Sequence, residues 1–138
     1  MSRIGEGISH RGLTHEDFQY PFNLNVAIVA ADVGKAVSID TTAARTVKLA
    51  ADGDVIIGEL ATVEVRSIEA IRVGTVSLKG GFSFTRATAA PAVTVGASIC
   101  GAGNGEVRAT LVGDATVLKQ HNNIVTAVNG TAIEVIFI

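Results

Sequence analysis

The chain has 138 residues and a net charge of -2, with 48% hydrophobic residues but only 4% aromatic and 17% charged, which is the size of one ordinary domain. Lysines and arginines scattered along a near-neutral chain leave no electrostatic footprint for nucleic acid. The longest unbroken apolar run, residues 26–31, is far too short to span a bilayer. The single cysteine, Cys100, excludes an internal disulfide, and the first seven residues lack the apolar stretch of a secretory signal, so synthesis in a reducing cytoplasm is expected. Val (18) and Ile (13) together outnumber Leu (7) more than fourfold. β-Branched side chains fit a pleated surface better than a helical turn, so the expected class is all-β.

Residues 1–21 stand apart, with His10 and His15, five charges (Arg3, Glu6, Arg11, Glu16 and Asp17) and few β-branched residues. They are expected to form an N-terminal arm ahead of a β domain spanning residues 22–138, with at most a short helical turn capped by Thr14 and ended before Pro21. Residues 23–29 alternate well enough for a strand that runs into a turn at residues 31–34. Residues 36–40 and 46–50 are short strands, and Asp52-Gly53 supplies a turn in which glycine takes positive φ without steric cost. Residues 55–66 are expected as one long strand bent at Gly58, and the alternation then continues past a slip near Ser67 to Leu78. After Gly80-Gly81, residues 82–85 alternate cleanly and put Phe82 and Phe84 on one face. Residues 87–91 are a small-residue loop, residues 93–100 lead to Cys100, and residues 101–105 are expected as a flexible glycine loop before a strand over 106–111. Asn129-Gly130, between two β-rich runs, is the pair expected of a type I′ hairpin. Its final strand is apolar to the last residue and must be covered, either centrally within the chain or by another subunit. Ile133, Val135 and Phe137 are its candidate interface residues.

Catalysis needs a nucleophile, an acid or base, or a metal held in mutual reach, and the inventory is thin. Cys100 has no neighbour in sequence that would lower its pKa and is expected as a buried structural thiol. The spacing of His10 and His15 matches neither a metalloprotease helix nor a zinc finger. His121, within Lys119-Gln120-His121-Asn122-Asn123, is polar loop material. The glycines of residues 101–105 are spaced GxGxG and precede a strand, whereas a phosphate site wants a helix N-terminus. Asp52 and Asp54 flank a turn, but an EF-hand would need a glutamate where Val63 stands. With no tryptophan and one tyrosine, a sugar cleft has little to be built from. No cofactor, metal or catalytic residue is therefore expected.

Four stretches carry a resemblance: Val33-Gly34-Lys35-Ala36-Val37-Ser38-Ile39, Asp54-Val55-Ile56-Ile57-Gly58-Glu59-Leu60, Val93-Thr94-Val95-Gly96-Ala97-Ser98-Ile99 and Gly103-Asn104-Gly105-Glu106-Val107-Arg108-Ala109. Short Val/Ala/Gly strands, an Asp-Gly turn, a Val-Gly-Ala step and a glycine-rich loop before a strand resemble the capsid decoration, or cement, proteins of tailed bacteriophages. The resemblance covers roughly residues 30–112. It implies a small β-barrel or β-tulip-like domain that forms a homotrimer on the outer capsid surface of the virion and bridges subunits of the major capsid protein. It offers no catalytic residue. In such proteins an N-terminal arm lies across a capsid subunit or adds a strand to it, which makes Arg3, His10, Arg11, His15, Phe18 and Tyr20 the candidate capsid-binding residues. The alternatives are another phage structural module, such as a head fibre, tail or adhesin component, and a trimeric β enzyme with a site shared between subunits. No internal repeat of the fibre kind is present.

Overall fold

The computed structural model describes residues 19–66, 71–88, 92–111 and 123–137, and these are nearly all β, as the composition leads one to expect. Five strands, β1 (Gln19–Leu24), β2 (Ala36–Ile39), β3 (Thr46–Leu49), β4 (Gly58–Arg66) and β5 (Ile71–Ser77), close into a barrel in the order β1-β3-β2-β4-β5. β1 runs parallel to β3, and every other pair in the barrel is antiparallel. Such a barrel is narrow inside. Its buried hydrophobic cluster is accordingly aliphatic: Leu24, Val37, Val47, Leu60 and Val76, with Ile28 added from the loop after β1. Two glycines permit the tight wall. A Cβ on Gly58 would lie 2.1 Å from the Ser77 carbonyl oxygen, and one on Gly74 would lie 2.1 Å from that of Thr62. The ladder between β4 and β5 slips between Leu60 and Thr62, a bulge that increases the local twist.

A second layer holds the three buried phenylalanines. β6 (Gly80–Thr85), β9 (Asn123–Asn129) and β10 (Ala132–Phe137) form a sheet in the order β6-β10-β9, beside a hairpin of β7 (Ile99–Gly103) and β8 (Glu106–Ala109). Phe82, Phe84 and Phe137 meet there with ring centroids 5.2–6.1 Å apart, in tilted and edge-on arrangements that suit their quadrupoles. Ala36, Ala50 and Ile56 join this core from the barrel side, so the two layers share a wall. The β7–β8 turn also fastens them: Gly105 donates its N–H to the Ala50 carbonyl and accepts from Ala36 N–H.

Several local expectations are corrected. Gln19, Tyr20 and Pro21 belong to a barrel strand rather than to an arm. Pro21 is tolerated because Asn23 and Asn25 send their N–H groups to Arg45 and Val47 on the β3 side, so by alternation the missing N–H of Pro21 would point the same way. β3 begins opposite Asn23, so no strand is there to receive it. The first strand ends at Leu24, not at Val29, because the Asn25 side chain accepts the Ala27 N–H and starts a turn. Gly58 opens β4 instead of bending it, and residues 55–57 lie outside any strand. β4 and β5 pair antiparallel, with Arg66 opposite Ile71, and the slip expected near Ser67 falls on residues 67–70, outside the described ones. Residues 101–105 are no flexible loop: Asn104 and Gly105, both at positive φ, form a tight two-residue turn between Gly103 and Glu106. In the last hairpin Asn129 pairs with Ala132, so the turn residues are Gly130 and Thr131, and only Gly130 has positive φ, the type II′ pattern.

Candidate contact surfaces

Asp52 and Asp54, which flank the expected turn, each hold a loop in place. Asp54 accepts hydrogen bonds from the Ser38 hydroxyl (2.8 Å) and the Ala51 N–H (3.0 Å), with Lys48 Nζ at 3.3 Å. Asp52 is largely exposed and accepts from the buried Arg108 Nε at 2.9 Å, while Arg108 Nη1 donates to the Ala109 carbonyl. Between them, Gly53 N–H donates to the Gly101 carbonyl and Gly101 N–H to the Asp54 carbonyl. The Asp-Gly-Asp turn is thus a clasp between the barrel and β7–β8. Asp40 accepts from the Thr42 hydroxyl, Asn25 Nδ2 and the Thr42 N–H, and these bonds, helped by the charge on Lys48, hold its carboxyl down to about 2. Burial pushes the Asp32 carboxyl up, but the Val29 N–H and the hydrogen bond and charge of Lys35 outweigh it, and the net shift is downward. Among the described residues, no group of three or more His, Cys, Asp or Glu side chains converges as metal ligands would, and no helix is long and apolar enough to cross a membrane.

The β7–β8 turn separates two open clefts. One, of about 320 Å³, is lined by Gly34, Lys35, Thr85, Asn104, Gly105 and Glu106. The other, of about 370 Å³, runs from Asn25 and Ile28 past Lys48 and Leu49 to Asp52 and Asn104. Each cleft therefore brings together one lysine and one carboxylate, Lys35 with Glu106 and Lys48 with Asp52.

The most distinctive surface is the loop from β1 to β2, which sequence alternation misassigned to a strand. Ile28 points inward and is buried, whereas Val26 (81% exposed), Val29 and Val33 face solvent, as do Ala27, Ala30 and Ala31. The loop is firmly built. Asn25 and Ile28 close a turn, residues Ala30–Asp32 form a single 3-10 turn, and Arg72 on β5 donates through Nη1 to the Ile28 carbonyl. Asp32 accepts the Val29 N–H at 2.9 Å and Lys35 Nζ at 3.0 Å. The signal available in the sequence was an uncharged six-residue run bounded by the turn formers Asn25 and Asp32.

Of the candidate capsid-binding residues, Arg3, His10, Arg11, His15 and Phe18 lie outside the described residues, as does His121. Tyr20 is half-exposed on β1, in register with Val76. Cys100 is buried on β7. The candidate interface residues on the last strand are corrected: β10 is the central strand of its sheet, and Ile133, Val135 and Phe137 are 0–2% exposed. Phe84, Phe82 and Gly80 on one side and residues of β9 on the other cover them, leaving no surface for another subunit. Comparison with protein-family models, curated proteins and solved structures gives no match.

Proposed function

We propose that this chain is a capsid decoration protein of a tailed bacteriophage. It is made in the host cytoplasm, binds the outer surface of the head as a homotrimer, and bridges major capsid protein subunits without catalysing a reaction. The observation that carries this reading is the division of labour among its side chains. Asp32, Asp40, Asp52, Asp54, Arg72 and Arg108 hold backbone segments in position, while branched apolar residues are displayed on a fixed loop. A protein that works by contact needs area and a stable shape, and many copies on one shell make modest individual contacts collectively tight. The four resemblant stretches map onto this scaffold: the β2 segment, the start of β4, the turn before β7, and the β7–β8 turn with β8. In this reading the arm is the stretch before β1, which begins at Gln19.

Co-sedimentation with shells assembled from the major capsid protein of the same phage tests the reading. Full-length protein is expected to bind saturably, whereas a chain lacking residues 1–18 keeps its far-UV circular dichroism and binds at least about tenfold more weakly, a loss of about 1.4 kcal/mol. Failure of the full-length chain to sediment with the shells overturns the decoration reading, and equal binding of both forms overturns the role of the arm.

A further inference from the structure

The sequence holds the pair Asn-Gly twice, at Asn104-Gly105 and Asn129-Gly130, and the fold gives the two pairs opposite surroundings. The side-chain carbonyl carbon of an asparagine can be attacked by the backbone nitrogen of the next residue, and a glycine there has no Cβ to block the approach. The attack requires that nitrogen to give up its proton and the peptide plane to turn toward the side chain, so a hydrogen bond or tight packing at the glycine opposes it. At Asn129-Gly130 both residues are exposed. The β9–β10 ladder closes between Asn129 and Ala132, so the Gly130 N–H lies in the turn outside it, and a Cβ on Gly130 would meet nothing within 4 Å. A hairpin tip is also the part of a ribbon that opens at least cost. At Asn104-Gly105 the asparagine is exposed but the glycine is buried. The Gly105 N–H donates to the Ala50 carbonyl at 3.2 Å, and its carbonyl accepts the Ala36 N–H at 3.1 Å. A Cβ on Gly105 would lie 2.8 Å from Lys35 Cβ. That glycine is held at both its polar groups and cannot turn without parting the β7–β8 turn from the barrel.

We propose that Asn129 is a site of spontaneous deamidation and that Asn104, in the same dipeptide, is protected from it. The Gly130 backbone nitrogen attacks Cγ of Asn129 and loses its proton to solvent. The new C–N bond closes a succinimide ring as the Cγ–Nδ2 bond breaks, and Nδ2 leaves as ammonia. Water then adds to one of the two ring carbonyls and breaks its bond to the ring nitrogen. Opening at Cγ leaves an aspartate, and opening at the backbone carbonyl carbon leaves an isoaspartate whose main chain runs through Cβ and Cγ. Water is the co-reactant, and nothing is oxidised or reduced. Either product adds one carboxylate and takes the net charge from -2 to -3. The isoaspartate also lengthens the main chain by one carbon. At Asn129 the exposed tip takes up that change beyond the end of the ladder, whereas at Asn104 it would displace Gly105 from Ala36 and Ala50. Nothing in this chemistry depends on capsid binding.

Peptide mapping by mass spectrometry tests the proposal on the full chain incubated folded at mildly alkaline pH and on the same chain incubated in guanidinium chloride, with the unincubated chain as the zero. Trypsin places the two pairs on separate peptides, residues 87–108 and 120–138. In the folded chain, the conversion of an amide to an acid, localised to Asn129 by fragmentation, is expected at least about tenfold faster than at Asn104, because the hydrogen bond and packing at Gly105 must be broken first. In guanidinium chloride the two rates are expected to converge. The Asn129→Gln chain, whose longer side chain cannot close the same ring, is expected to lose the conversion from residues 120–138. Equal rates at the two asparagines in the folded chain overturn the proposal. So does an Asn129 rate that folding slows by about tenfold or more, or a conversion in residues 120–138 that persists undiminished in Asn129→Gln.

Discussion

Truncating Ile133 to alanine distinguishes a terminal strand that builds the monomer's core from one that serves as a contact between subunits. Ile133 is fully buried, lies opposite Phe84 on β6 and Val128 on β9, and sits on a strand hydrogen-bonded on both edges. With both neighbouring strands fixed by their ladders, the site has little freedom to collapse. The cost should fall in the upper part of the usual range for such truncations, about 3.5–5 kcal/mol. Unfolding entropy of about 2.1 cal/mol/K per residue, over 138 residues, converts this to a fall in Tm of about 12–17 °C. Against a total stability of about 5–15 kcal/mol, the variant remains mostly folded at low temperature unless the parent is near the bottom of that range. Thermal and urea unfolding followed by circular dichroism read the loss, with the urea slope expected to stay constant. Sedimentation velocity at low temperature should then show unchanged association. A Tm drop below about 3 °C, accompanied by weakened association, would refute the placement of β10 in the monomer's own core.

Two further substitutions and one titration follow from the same structure. Gly58→Ala forces a Cβ against the Ser77 carbonyl and should cost about 3 kcal/mol or more, whereas Gly130→Ala, at positive φ in open space, should cost only about 1 kcal/mol; urea midpoints that rank them the other way contradict the tight barrel wall. The Asp40 carboxyl is held down to about 2, below its ordinary value near 3.8. Its contribution to stability is therefore fully present above about pH 4 and is lost as the pH falls through about 2. Asp40→Asn should reduce stability at neutral pH and flatten the acid limb of the urea midpoint. An unchanged acid limb in the variant would contradict the hydrogen-bonded carboxylate.

Much of the fold was legible because β-branched composition and glycine punctuation are local signals. β2, β3, β6 and β8 fall within two residues of their expected positions, and the alternation of Phe82 and Phe84 placed both rings in the core. The misplacements have a common cause. At Pro21 and Gly58 the deciding partner is distant in sequence or depends on which side of the strand is paired, namely the start of β3 opposite Asn23 for Pro21 and the Ser77 carbonyl for Gly58, while at Asn25 the side chain accepts the Ala27 N–H and ends the strand. Alternation cannot report such partners. The exposed apolar loop was hidden for a similar reason. Six consecutive apolar residues look like a buried strand, and only Arg72, forty-four positions away from Ile28, shows that the segment is instead held outward at the barrel's end. The opposite error was made for Ile133, Val135 and Phe137, since an apolar strand at the chain's end shows nothing of the two strands that flank it.

The central claim, that the protein stabilises a phage head by contact alone, is tested most directly by the rupture temperature of DNA-filled heads prepared without it and then recoated with purified protein. Differential scanning calorimetry is expected to show rupture moving to higher temperature in a saturable manner as the protein is added, while the chain lacking residues 1–18 gives a smaller rise. Heads that bind the protein yet rupture at an unchanged temperature would contradict the account.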